Sequence, residues 1–380
     1  MSTEKKRIQM TTQTRRLLLI GPKPPPIGGS PLTVQAMLEE FANYPSLQVI
    51  LINTSPGMDV RKKMTGFNWE KVKRSFTIFY HYIRDIRHCD AALVFANDLF
   101  AITLAPILLL FSKIYGKPFF LKPVGAGLDL FINAQPKLFR IYLLSILRAM
   151  EGILTQTQLL KDDLKKMGCA NVNYLPGCRP LPAMMLVPKS SSEKMRLVYL
   201  GHITRFKGPL ILLNALRTSS ELCDVQVTCD FYGPIHEEIQ DEFLAELNSS
   251  PNANYCGIAK AGTGPQLISQ YDALVLPTYY DTEGHPGVLI EAMHAGVPVI
   301  STQVRTLPEL IENGSNGFLV PTQNSHALAN AIVQLARDPD MRRKMGEANL
   351  RKGQEFRADT VVAKLLSIVF PDFSFARKPN

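Results

Sequence analysis

The chain lacks the marks of a redox, zinc or membrane-spanning protein. Its six cysteines, Cys89, Cys169, Cys178, Cys223, Cys229 and Cys256, form no C-x-x-C pair and no zinc spacing. That excludes a zinc ribbon or a thioredoxin-like motif and fits reduced thiols in a cytosolic compartment. The seven histidines form no ligand cluster, and the only literal D-x-D, Asp338 to Asp340, falls between two helical stretches as a capped junction. No metal is expected. The longest apolar run, LFAITLAPILLLF from Leu99 to Phe111, is short of the ~20 residues of a bilayer span and reads as a core helix. The opening MSTEKKRIQMTTQTRR is polar and basic with no apolar stretch behind it, so it reads as a frayed tail rather than a secretory signal. No G-x-G-x-x-G follows the first strand, and the dinucleotide fingerprint is absent.

What is present is an ordinary globular composition, unevenly charged. Hydrophobic residues make up 46% and charged residues 20% of 380, which fits two domains with real cores. The net charge of +9 is concentrated: residues 1–180 carry 24 Lys and Arg against 12 Asp and Glu, residues 181–380 carry 18 against 21. The first half is built to meet something anionic. Its densest part is RKKMTGFNWEKVKRSF, where Arg61, Lys62 and Lys63 stand near Phe67, the sole tryptophan Trp69, and Phe76. Cations and aromatics near helical spacing suit an anionic membrane surface; the same composition also suits a solvated helix face. No recognition motif accompanies the charge, which disfavours nucleic acid.

The first half alternates strand-like and helix-like segments. Strands are expected at 16–21, 47–53, 91–96, 118–123 and 152–157, with helices from about Ser30 and at about 69–87, 98–115, 134–150 and 158–167. The Pro- and Ser-rich LPGCRPLPAMMLVPKSSSEK follows as a linker, and the alternation then restarts at RLVYLG. The reading is α/β: a tail (1–15), an N-terminal domain (16–175), a linker (176–195), a second domain (196–355), and a C-terminal helix and tail (356–380) able to cross back. Two doubly wound Rossmann-like domains in tandem leave a cleft outside the carboxyl ends of their strands.

Three stretches could carry chemistry there. In GPKPPPIGGSPLT, Gly28 and Gly29 let backbone approach a ligand before a helix, or merely belong to a Pro-rich turn. In YLGHITRFKGP, Arg205 and Lys207 after the strand end at Gly201 suit a diphosphate, or are exposed loop cations. In TEGHPGVLIEAMHAGVPVI, the amides of Gly287, Val288 and Leu289 open a helix and form an anion site. Glu283 and Glu291 flank them. Carboxylates accept hydrogen bonds and want hydroxyl donors, and sugars and riboses are vicinal diols. An anion site between two diol acceptors, facing cations, describes a nucleotide-sugar pocket.

The stretch EGHPGVLIEAMHAGVPVIST resembles the E-x7-E signature of glycosyltransferase family 4, retaining enzymes of the GT-B fold. YLGHITRFKG, DFYGP, YDALVLPTYYDTEG and LPELIENGSNGFLVP agree in order and spacing, and the wording is most similar to bacterial members that build capsule, exopolysaccharide or lipopolysaccharide. The resemblance implies that Glu283 meets the donor sugar with a catalytic part, that Glu291 holds the ribose, and that Lys207 holds the diphosphate. Where the family has its second phosphate cation, this chain has His202, so Arg205 or His202 takes that contact. The family's histidine after the fourth strand, near the donor sugar, is missing: LKPVGAGLD offers Lys122, Gly125 or Asp129 to line that part of the cleft, and Lys122 is also expected on the acceptor side. The base is expected near Ile258. No cofactor or metal is implied, because cations and helix amides stabilise the leaving diphosphate.

The leading expectation is therefore a retaining hexosyl transfer from a UDP- or GDP-sugar to a lipid-linked or oligosaccharide acceptor, by a cytoplasmic protein held peripherally on the inner face of an anionic membrane. A non-catalytic sensor of sugar nucleotides and a nucleotide-sugar epimerase are the alternatives. A two-carboxylate glycosidase is disfavoured by the phosphate-type cations.

Overall fold

The computed structural model describes residues 14–25, 28–55, 69–180, 194–218 and 225–378. The first domain runs β1 (Arg15–Gly21), α1 (Gly29–Phe41), β2 (Leu47–Asn53), α2 (Trp69–Ile86), β3 (Ala91–Ala96), α3 (Asp98–Ile114), β4 (Phe119–Pro123), α4 (Leu128–Asn133), α5 (Lys137–Ala149), β5 (Gly152–Thr155), α6 (Gln158–Lys166) and β6 (Val172–Tyr174). The second runs β7 (Met195–Leu200), α7 (Pro209–Thr218), β8 (Val227–Tyr232), α8 (Gln240–Asn248), β9 (Ala253–Tyr255), α9 (Gly264–Ile268), β10 (Ala273–Leu276), α10 (Gly287–His294), β11 (Val299–Thr302), β12 (Gly317–Val320), α11 (Ser325–Arg337) and α12 (Pro339–Gly353). A last helix, α13 (Ala358–Val369), follows.

Each domain holds a six-stranded parallel sheet, in the orders β2-β1-β3-β4-β5-β6 and β12-β11-β10-β7-β8-β9. Helices cover both faces, so the central strands are apolar runs rather than alternating ones; Leu17 to Ile20 and Ala91 to Val94 are wholly buried. The two-domain α/β reading holds. Differences from the sequence reading are local. The stretch expected as one helix over 134–150 is two, because Pro136 cannot continue a helix and stands instead as the N-cap of α5. Gly28, not Ser30, is the N-cap of α1. Asp338 caps α12, accepting from the Met341 amide at 2.8 Å, so the D-P-D segment is a helix junction.

The winding positions the site. In the second sheet β7 lies between β8 and β10, so the chain reverses direction across the sheet there, and the loops leaving β7 and β10 stand side by side. That is where ligands bind in such sheets. The chain then returns to the first domain. Val361, Val362, Leu365, Leu366 and Val369 of α13 join Leu17, Leu19, Val34 and Met37 in one core, each worth roughly 1.5–3 kcal/mol over exposure. Beyond it, Arg377 grips Glu40 of α1 at 2.6 and 3.1 Å.

Candidate functional site

The loops after β7 and β10 are stitched together by main chain. Gly208 is left-handed (φ 73°) and packs so closely that a Cβ on it would lie 2.1 Å from the Pro277 carbonyl oxygen; only glycine fits. The Tyr279 amide donates to the Phe206 carbonyl at 2.9 Å and the Thr278 hydroxyl to the same oxygen at 3.1 Å. This brings the Lys207 ammonium onto the Glu283 carboxylate, both largely shielded from water. Arg205, in the same turn, points the other way. It pairs with Glu242 of α8 at 2.6 Å, both half exposed. Residues two apart in a three-residue-per-turn helix leave on different sides, so only Lys207 can meet Glu283 from this turn.

α10 begins beside that pair. Pro286 is its N-cap, and the Leu289 amide already donates to the Pro286 carbonyl at 3.0 Å. The amides left at the helix mouth are those of Gly287 and Val288. Leu289, Ile290, Ala292 and Met293 bury the helix in the core, while Glu291 sits at its rim against Gly264, where a Cβ would come 2.0 Å from Oε2. Burial raises the Glu291 pKa, and Arg179 opposes the rise. The Arg179 Nε donates to Glu291 Oε1 at 3.1 Å. A cavity of about 260 Å³ adjoins this pair, lying between α1 (Leu32, Gln35) and Ala261, Gly262 and Pro265.

The first domain closes over the other side of Glu283. The Ala126 amide donates to the Thr282 carbonyl at 3.2 Å, and a Cβ on Gly127 would lie 2.7 Å from Thr282 Cγ2. The V-G-A-G segment, where the family's histidine is missing, is thus the surface on which the Glu283 loop rests. Arg305 fastens this contact: it donates to the Ala126 carbonyl at 2.7 Å, pairs with Asp129, and reaches Asp163 at 3.3 Å. Glu309 accepts from the Gln158 and Leu159 amides at 2.7 and 2.8 Å, so a carboxylate of one domain caps α6 of the other. Burial works against ionisation of Glu309, but His285 and those two amides outweigh it and hold its pKa low.

The remaining predicted residues divide. Gly28 caps α1 and Gly29 begins it, where an added Cβ would lie 3.9 Å from Arg179 Nη2; Gly201 follows the end of β7, and the His202 carbonyl accepts from the Tyr199 hydroxyl at 3.0 Å. Ile258 is 62% exposed and does not line the cavity, whose wall is formed a few residues later in the same loop. Lys122 is not on an acceptor surface. It is buried, donates to the Leu175 carbonyl at 2.5 Å, and burial lowers its pKa to about 7. Trp69 is exposed at the start of α2, whereas Arg61, Lys62 and Lys63 lie outside the described residues. Arg179, Arg305 and Glu309 were not expected. The signal for Arg179 is a single arginine in the Pro-rich linker, and for Glu309 its place in LPELIE. Among the described residues, no three His, Cys, Asp or Glu side chains gather as a metal would need, and no helix is long and apolar enough to cross a membrane.

Residues 187–352 match the family model described as glycosyl transferases group 1. That match takes in somewhat under half of the chain. The matched residues include the Lys207–Glu283 pair, the mouth of α10, and Glu291. The chain is 31% identical over 114 residues to the N-acetyl-alpha-D-glucosaminyl L-malate synthase of Bacillus anthracis, covering 30% of this chain and 29% of that protein. It is 25% identical over 195 residues to the amylovoran biosynthesis glycosyltransferase AmsK of Erwinia amylovora, 49% of this chain and 47% of that one. The matched stretches thus span from under a third to about half of these relatives' length. Among solved structures, Anabaena Alr3699/HepE in complex with UDP superposes with a TM-score of 0.69 over 93% of this chain and 99% of that one, at 16% identity. That likeness shows the two-domain GT-B fold over most of the chain.

Proposed function

We propose that this protein is a retaining glycosyltransferase that moves a hexose from a UDP- or GDP-sugar to a lipid-linked or glycan acceptor in bacterial surface-polysaccharide synthesis, with no metal required. The observation that carries the reading is the grouping of Lys207, Glu283, the mouth of α10 and Glu291 at the second sheet's switch point. Lys207 and the helix amides take the leaving diphosphate, where their charge is worth most as the bond to the sugar breaks. Glu283 accepts from the transferred sugar's hydroxyls, Glu291 from the ribose, and the cavity beside Ala261 and Pro265 takes the base. The acceptor oxygen bonds to the anomeric carbon on the face the diphosphate leaves. Its proton passes to the departing phosphate oxygen, so no protein nucleophile is needed.

The acceptor reading implies a membrane surface, and the exposed apolar residues support one. Of sixteen large hydrophobics exposed among the described residues, twelve lie between Trp69 and Tyr142, on or beside α2, α3, α4 and α5, the helix layer over one face of the first sheet. Lys73, Lys113, Lys137 and Arg140 are interleaved with them. Apolar side chains among cations fit an anionic bilayer surface at the cytoplasmic face.

A thermal-shift panel of UDP-, GDP- and ADP-sugars tests the donor reading, because a ligand that binds only the folded state raises the melting temperature. A rise with one donor, followed by transfer from it to a lipid-linked sugar with retained anomeric configuration, is the expected result. A flat response to the whole panel overturns it.

A further inference from the structure

Arg179 is a buried, multiply bonded cation that has no part in the reaction proposed above. It lies in the crossing between the domains and is 4% exposed. Its amide donates to the Phe356 carbonyl at 3.2 Å, where the crossing runs beside the return to α13. Nη1 donates to the Thr33 hydroxyl of α1 at 2.8 Å and to the Cys178 carbonyl at 2.9 Å, and Nε to Glu291. The remaining corner, Nη2, lies over the first residue of α10. A Cβ on Gly287 would be 1.7 Å from it, and one on Gly29 3.9 Å. Gly287 has ordinary negative φ, so glycine stands there to admit the guanidinium rather than for backbone freedom.

A cation at a helix N-terminus has the wrong sign for the helix dipole. A single carboxylate, Glu291, balances it. With Glu291 engaged by Nε, Nη2 and the free amides of the helix mouth are the donors left to meet a further anion. An anion seated on the Gly287 and Val288 amides would touch Nη2 at once.

We infer that Arg179 is the second diphosphate-binding cation, supplied from the interdomain linker. This rests on the nucleotide-sugar reading of the same site. Without donor, Nε holds Glu291 and Nη2 stands over Gly287. When the ribose hydroxyls take Glu291, the Nε–Nη2 edge turns to the phosphate oxygens while Nη1 keeps its anchors on Thr33 and Cys178. The fork geometry of arginine suits two phosphate oxygens as it suits a carboxylate. The assignment answers the departure at His202: the second cation comes from the other end of the pocket, and Arg205 is occupied outside by Glu242.

The test is calorimetric titration of the full chain with UDP, GDP and ADP, and with the corresponding nucleosides, on wild type, Arg179→Gln and Arg179→Lys. Arg179→Gln is expected to weaken the bound nucleoside diphosphate by roughly tenfold or more. Its nucleoside should bind as before or more tightly, because Glu291 has lost a competitor. Arg179→Lys should recover part of the diphosphate affinity. If Arg179→Gln fails to fold, Arg179→Lys must still show the split between diphosphate and nucleoside. Equal losses for both ligands would mark a structural tie and overturn the proposal, as would no loss at all. If wild type binds none of the three diphosphates, the nucleotide-sugar reading itself falls, and this assignment falls with it.

Discussion

The two domains share an architecture and differ in where they put charge. Both are six-stranded parallel sheets under helices, but the first reverses its winding after two strands and the second after three. The second domain's reversal carries Lys207 and Glu283. The first domain offers glycines near its own reversal, Gly28 and Gly29 opening α1, and seats the V-G-A-G segment against Thr282. Its cations and apolar side chains are on the outer helices instead. The contrast shows that a fold fixes where sites can lie, and that particular residues decide which of them are used. On the function proposed above, one domain holds a small anionic ligand and the other closes over it while resting on a membrane surface.

The sharpest way to break this division is Glu283→Ala. Transfer should fall by ~100-fold or more, the scale of removing a group aimed at the reacting centre, with the melting temperature little changed because the site is a rim and not a core. Full activity in that folded variant would move the chemistry elsewhere. The converse experiment acts on the first domain. Leu138→Asp with Ile141→Asp, on residues 83% and 54% exposed, should cut binding to vesicles containing anionic lipid by about tenfold or more. Binding of the nucleotide in solution should be unaffected. A variant that still binds vesicles like wild type would remove α5 from the docking face.

A smaller effect separates two neighbours. Arg205→Ala removes an exposed pair with Glu242, and such pairs are worth about 0–1 kcal/mol. Activity at saturating donor should stay within about threefold of wild type. A loss as large as that of Glu283→Ala would mean that Arg205 swings inward in the working complex, restoring the role the sequence suggests for it.

Much of this division is legible in the order of residues alone. Alternating strands and helices follow from apolar runs and their punctuation, and the E-x7-E stretch puts Glu283 and Glu291 about a helix start. The rest depends on docking between distant segments. Nothing local says that Arg179 reaches Glu291, that Arg305 reaches Asp129, or that Glu309 caps a helix of the other domain, since these contacts are decided by how two finished sheets meet. The outward turn of Arg205 is hidden for a different reason: a charge pattern gives no side-chain direction, and the three-residue turn that splits Arg205 from Lys207 is too short to leave a periodic signal. Ile258 misleads because a loop's backbone course, and not its order in sequence, decides which of its residues face a cavity.

The last prediction concerns the first domain's buried charge, Lys122, which the sequence offers to the acceptor. If the division holds, Lys122 serves the fold and its removal leaves transfer nearly intact. Burial lowers its pKa from 10.5 to about 7, with Cys178 pulling it up and Lys364 pushing it down. In the unfolded chain the amine keeps its proton up to the ordinary value. Between these two values the unfolded state binds more protons than the folded one, so stability must rise with pH across that window. Lys122→Met removes the titrating group and keeps the shape of the stem. Denaturant midpoints measured near pH 7 and near pH 10 should therefore climb more for wild type than for the variant. The gap between the two proteins should be greatest at the lower pH, where the buried amine is partly charged and the methionine is not. Parallel midpoints at both pH values would mean that Lys122 keeps its proton in the fold, with an anion nearby to hold it, and the acceptor side of the cleft would again be the place to look for that anion.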